Sequence, residues 1–296
     1  MNIGDEIRKA FSSGTTLTRL ILVNLAVFLI IKVINVFLFL FQQPDIADQL
    51  IAYLALPADL NMLAKRPWTA ISYMFLHYSF FHILFNMLWL YWFGKIFLSY
   101  LDQKKLLGIY ILGGLAGGAL YILAFNIFPA FDNVMSQSVA VGASAAVLAV
   151  VMTISFYAPD YKINLMFIGR VKIQHIALFT VIIDLFSIQG SNAGGHIAHL
   201  GGALFGFIYA TQIRKGKDMT RGFNRFMDRL SSMFKPKSKL HVKYKRTSRP
   251  ETDIEYNTRK KSDQKEIDRI LDKISKSGYG ALTKQEKELL FKSSNK

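Results

Sequence analysis

The chain has 296 residues, 52% of them hydrophobic, and a formal charge of +16 from 36 Lys and Arg against 20 Asp and Glu. It contains no cysteine, which excludes disulfides, thiolate nucleophiles, Cys-ligated zinc and iron–sulfur clusters. Apolar residues are concentrated between about Leu20 and Gln212 and most of the charge follows them, a pattern that describes an all-α membrane protein with a soluble tail.

Residues 1–19 read as a short N-terminal segment carrying Arg8, Lys9 and Arg19. The run from Leu20 to Phe41 is longer than a signal-peptide core and lacks a small-residue cleavage pattern, so it is expected as a retained span. Further runs near the ~20 residues needed to cross a bilayer predict spans at about 79–101, 104–125, 138–158, 173–188 and 195–212. The membrane domain thus covers 20–212 with six helices. Between the first two spans, Leu50–Leu56 and Ile71–Leu76 are too short to cross and are expected at the interface.

Charge orients the bundle. Lys104 and Lys105 separate the second and third spans, and Lys162, Arg170 and Lys172 the fourth and fifth. The connections 126–137 and 189–194 hold Asp132 and no Lys or Arg, so both termini are expected in the cytoplasm. The loop 42–78 departs from this rule, with Lys65 and Arg66 against Asp45, Asp48 and Asp59.

In this orientation the second, fourth and sixth helices all run inward from the outer face. At ~1.5 Å per residue, His82, Ser144 and His199 then lie at one depth, roughly 5 to 10 Å from their helix starts. Lipid does not tolerate such groups unless they pair or work. His82 and Asn86 are four apart and share a face. Gly202 and Gly206 share a face with His199 at a GxxxG spacing, and Gly142 with Ala143, Ala145, Ala146 and Ala149 offers a matching smooth surface around Ser144. Contact between the fourth and sixth helices would bring the serine to the histidine. That pair is the minimum apparatus for acyl transfer, because imidazole takes the hydroxyl proton and returns it to the leaving amine. Asn86, His82 and the Ser144 backbone N–H are candidate oxyanion donors. A fourth helix that starts close to Ser144 would leave that N–H unpaired by the helix itself.

The segments HYSFFHILFN (77–86), GAS (142–144) and AHLGGALFG (198–206) resemble, in order and on matching helices, the three signature segments of rhomboid intramembrane serine proteases. The resemblance covers roughly residues 17–212 and implies a six-transmembrane-helix rhomboid-like bundle with a small cytoplasmic helical tail. It implies a Ser144 nucleophile, a His199 general base, and His82 with Asn86 on the oxyanion side, with His77 matching an upstream loop histidine. It also implies cleavage of the transmembrane segments of other membrane proteins without a cofactor, in a bacterial cytoplasmic membrane. Ala145 stands where the family usually has Gly, Leu148 where many bacterial members have Tyr, and Thr69 follows Trp68 where the family has Arg. A catalytically silent, rhomboid-like chaperone or scaffold is the alternative, although this chain keeps both serine and histidine.

Other polar residues have plainer readings. His77 and Trp68 are candidates for gating or structural roles. Asp184, in the fifth helix, is a candidate to hold water or to orient His196 or His199, and Lys32, in the first, to snorkel. No HExxH or acidic ligand set accompanies His196 and His199, so no metal is expected. An aspartyl protease is disfavoured because the spans hold no second Asp. Gly113, Gly114, Gly117 and Gly118 read as packing residues.

From Arg214 onward the chain holds 24 Lys and Arg against 11 Asp and Glu. Residues 213–249 read as a basic juxtamembrane segment, with Phe223, Phe226, Leu230, Met233 and Phe234 at roughly helical spacing. Anionic lipid is the expected partner and nucleic acid is not. Residues 250–261 read as a linker and 262–296 as a small helical hairpin, in which Ile267, Ile270, Leu271 and Ile274 form a stripe and Thr283 with Glu286 a capping box.

Overall fold

A computed structural model describes residues 14–166, 168–234 and 252–294. The expected segment 1–19 is therefore described only from residue 14, and the basic stretch only to 234. The chain forms two compact units, Met1–Lys235 and Pro236–Lys296.

In the first unit, helix α1 (Thr16–Leu40) starts at Thr15, whose hydroxyl accepts from the Thr18 N–H. Its outer face is exposed from Leu29 to Leu40, as an apolar helix facing lipid would be. Inward it buries Leu17, Leu20 and Asn24, and the Asn24 amide donates to Tyr110 Oη at 3.0 Å. The connection to the next long helix folds into α2 (Pro44–Leu54), strand β1 (Leu56–Pro57), α3 (Leu60–Lys65), α4 (Thr69–Ser72) and a 3₁₀ turn over Tyr73–Phe75. The two short apolar stretches expected at the interface fall in this irregular layer.

Helix α5 (Phe80–Tyr100) is capped by Ser79 and α6 (Gln103–Ile127) by Asp102. Strand β2 (Val139–Ala140) pairs antiparallel with β1, Leu56 opposite Ala140 and Pro57 opposite Val139. Then come α7 (Ser144–Tyr157), the antiparallel hairpin of β3 (Lys162–Leu165) and β4 (Gly169–Lys172), α8 (Ile173–Ser187) and α9 (Ala193–Arg214). All six expected spans coincide with helices. The fourth begins at Ser144 rather than near 138, because residues 139–140 are held by β1. Helices α1, α5 and α6 are long and apolar enough to cross a membrane, and α7 and α8 are shorter apolar helices.

The core lies around α7, where every residue from Ala145 to Ser155 is buried. Small residues allow this. A Cβ on Gly113 would sit 2.2 Å from Ala149 Cβ, and one on Gly206 2.3 Å from the Ala149 carbonyl oxygen. Helices α6, α7 and α9 therefore touch through their backbones, which side chains at these positions would hold apart. Thr153 Oγ1 ties the same seam by donating to the Gly206 carbonyl at 3.2 Å.

After α9, Tyr209 Oη donates to Asp218 Oδ1, and the Thr220 side chain fills the space left by Gly108. Helix α10 (Arg221–Phe234) follows, joined to the start of α6 by Lys104 and Asp228 at 2.7 Å. Phe226 and Met233 are exposed on it.

The second unit is a hairpin of α11 (Asp253–Ser277) and α12 (Lys284–Ser294), which buries Ile270 and Leu282. The linker expected over 250–261 is corrected here: the helix already begins at Asp253. A reciprocal capping box, in which the Thr252 hydroxyl accepts from Glu255 N–H and the Glu255 carboxylate from Thr252 N–H, starts it fourteen residues before Ile267, the first residue of the apolar stripe.

Candidate active site

The loop into α7 is shaped by one glycine. Gly142 has φ +128°, a conformation L side chains rarely adopt, and its N–H donates to the Tyr73 carbonyl at 2.9 Å. A Cβ there would lie 2.9 Å from His82 Cε1 and Nε2 and 3.4 Å from Ser144 Oγ. Gly142 thus has a backbone task as well as the packing role expected of it, and it lets the His82 imidazole approach the serine hydroxyl. Ala143, with no capping side chain, precedes Ser144, so the first N–H groups of α7 have no acceptors from their own helix.

Ser79 Oγ accepts from the His82 N–H and fixes the first turn of α5. One turn further, Asn86 is buried and its Nδ2 donates to the His82 carbonyl at 2.9 Å. Ser144, His199, His82 and Asn86 all line one cavity of about 390 Å³, with Phe81, Phe85 and Trp89 of α5, Leu148 of α7, Thr180 of α8, and Asn192 and Gly195 at the start of α9. Phe81 and Phe85 are exposed. The juxtaposition expected of α7 and α9 is realised through Gly202, whose Cβ would meet the Ala145 carbonyl oxygen at 2.1 Å.

His199 Nδ1 lies 2.8 Å from Asp184 Oδ1, and His196 Nδ1 lies 2.8 Å from the same oxygen. Asp184 is buried on α8. The ligand atoms of the three residues lie within 4.8 Å of one another, the spacing a metal ion would need. Both 2.8 Å distances are also those of ordinary N–H···O bonds, which fit the arrangement without an ion.

His77 is buried and edge-on to His82, with ring centroids 5.0 Å apart, but it is not among the cavity residues. Trp68 lies elsewhere. Its Nε1 donates to the Tyr53 carbonyl at 3.0 Å, and the two rings are 4.9 Å apart, so it fastens α4 to α2. Lys32, expected to snorkel, donates to the Tyr78 carbonyl at 2.9 Å and ties α1 to the turn before α5. The sequence reading missed Thr180 and Asn192, which carry no motif, and gave no role to Phe81 and Phe85 inside the segment 77–86; their part in the cavity becomes visible only when α5, α8 and α9 are brought together.

The rhomboid domain profile matches residues 64–216, just over half the chain, and spans every one of these site residues. The chain belongs to the rhomboid family. It is 31% identical over 167 residues to RHOMBOID-like protein 12, mitochondrial, of Arabidopsis thaliana, covering 53% of this chain and 49% of that protein. It is 27% identical over 181 residues to the rhomboid protease GlpG of Haemophilus influenzae, covering 61% and 87% respectively. Against the human presenilin-associated rhomboid-like protein it is 27% identical over 140 residues, covering 46% and 35%. The chain spans about half the length of the first of these relatives. Like other rhomboids it is a multi-pass membrane protein, and its relatives are mitochondrial or bacterial. Residues 251–296 match a separate family of unknown function, DUF6576.

Proposed function

We propose that this rhomboid is an active intramembrane serine endopeptidase in which Ser144 is the nucleophile and His199 the general base. The observation that carries the reading is the shared cavity: Ser144 at the first turn of α7, His199 on α9 and His82 on α5 line it together. His199 takes the Ser144 proton as Oγ attacks the scissile carbonyl carbon, and it then delivers that proton to the leaving amine. His82, the first N–H groups of α7 and the Asn86 amide stabilise the oxyanion.

The substrate is a transmembrane segment of another membrane protein, entering between α5 and α8 past Phe81 and Phe85. Helices α1 and α5–α9 together span the bilayer with both chain termini in the cytoplasm, and the host membrane is a bacterial cytoplasmic membrane. The basic face of α10 and the charge that follows it rest on anionic lipid. Labelling of the purified full chain by a fluorophosphonate probe tests the chemistry: wild type reacts, while Ser144→Ala and His199→Ala do not. Equal labelling of all three would overturn the assignment.

A further inference from the structure

Asp184 is the one Asp or Glu within α1 and α5–α9, and only 4% of its surface is exposed. A carboxylate in such surroundings is costly unless donors meet it. Two do, both on Oδ1, while Oδ2 has no hydrogen-bond partner among the described residues. His196 and His199 are three apart on α9 and so reach α8 from one face.

We propose that Asp184 is the positioning residue of this site: its Oδ1 accepts the Nδ1–H of His199 and turns the Nε2 lone pair toward Ser144, while His196 clamps the same oxygen. The inference rests on the roles given above to Ser144 and His199.

A carboxylate has no proton to give, so a ring nitrogen 2.8 Å from it must carry the hydrogen. A neutral imidazole has a single N–H, and placing it on Nδ1 leaves Nε2 unprotonated, which is the form a general base needs. When Nε2 takes the serine proton the ring becomes cationic, and the ionised Asp184 beside Nδ1 stabilises that cation without itself gaining a proton. His196 adds a second donor that prevents the carboxylate from rotating away. It also shares the charge, so the effect on His199 is smaller than the roughly 10⁴-fold typical where a carboxylate serves one imidazole alone.

The test is fluorophosphonate inactivation of the full chain in detergent, resolved into the maximal rate and the probe concentration at half-maximal rate. Asp184→Asn is expected to lower the maximal rate on the order of 10²-fold, leaving the half-saturating concentration and the thermal midpoint close to wild type. Asp184→Glu is expected to recover part of the rate, and His196→Ala to stay within several-fold of wild type. A maximal rate for Asp184→Asn within about threefold of wild type would overturn the proposal. So would equal losses in Asp184→Asn and Asp184→Glu that track a fall in thermal midpoint. Should Asp184→Asn not fold, proton NMR of the unlabelled protein decides. A strongly downfield Nδ1 proton, lost in His199→Ala and kept in His196→Ala, supports the bond, and its absence refutes it. Failure of wild type to label at all would instead strike at the assignment of Ser144 and His199.

Discussion

Replacing Gly202 by alanine tests whether the seam between α7 and α9 sets the geometry of the site. The new Cβ would lie 2.1 Å from the Ala145 carbonyl oxygen, 2.8 Å from its carbon and 3.1 Å from its Cα. Comfortable contact starts at about 3.4 Å, so about 1.3 Å of overlap must be relieved. The opposing atoms are backbone, which cannot rotate away as a side chain would. Relief requires α9 to move off α7, at an overpacking cost of about 1–3 kcal/mol. Ser144 and His199 ride on these two helices, and a displacement of about 1 Å between reacting groups can cost on the order of 10²-fold in rate. Gly202→Ala should therefore lower the fluorophosphonate labelling rate far more than its loss of thermal stability alone implies. Gly222→Ala is the control, because a Cβ there meets nothing within 4 Å and a helical alanine is favoured over glycine by roughly 0.5–1 kcal/mol. A Gly202→Ala protein that labels within about threefold of wild type and unfolds at the same temperature would refute the reasoning.

Other outcomes follow from the same coordinates. His82→Ala should reduce turnover by about 10²- to 10³-fold, and Asn86→Ala by less, because one Asn86 N–H is already given to the His82 carbonyl; equal losses in a labelling assay would contradict this ranking. Asn24→Ala removes a fully buried amide that bonds both Leu20 O and Tyr110 Oη. It should cost about 1–3 kcal/mol in an unfolding titration, with little change in labelling of the folded fraction. In the C-terminal hairpin, the Thr283 backbone N–H, followed by the Lys273 ammonium, holds the Glu286 carboxyl down to about 2 against its ordinary 4.5. A depressed carboxylate stabilises the folded hairpin above pH 4.5 and loses that contribution as pH falls from 4.5 through about 2. Protection from hydrogen exchange over 253–294 in the full chain should fall across that window, and Glu286→Gln should reduce the dependence to the part carried by Glu255, which Thr252 also holds below its ordinary value.

Read along the chain alone, the residues already show long apolar helices, which of their polar residues needed partners, and which small residues would let helices touch. Those conclusions depend on local properties: the hydropathy of a run, the spacing of side chains on one helix, and the intolerance of lipid for an unpaired imidazole or amide. That Ser144, His199, His82 and Asn86 would face one another was legible for that reason, and all four line one cavity; the contact at Gly202 and Gly206 was legible in the same way. The remainder depends on packing. Gly142 could be seen in the sequence as small, but its positive φ follows from β1 holding the loop before α7 and from the Tyr73 carbonyl receiving its N–H. The carbonyl that Lys32 meets, on Tyr78, is set by the fold, and the linker expected before the C-terminal hairpin is helix because Thr252 and Glu255 cap it. Asp184 stood in the sequence with two histidines open to it, and in the fold it meets both. A periodic pattern tells which face of a helix a side chain occupies. Which partner it meets across the gap depends on how neighbouring helices are rotated and how deeply they sit, and these are properties of the packed bundle.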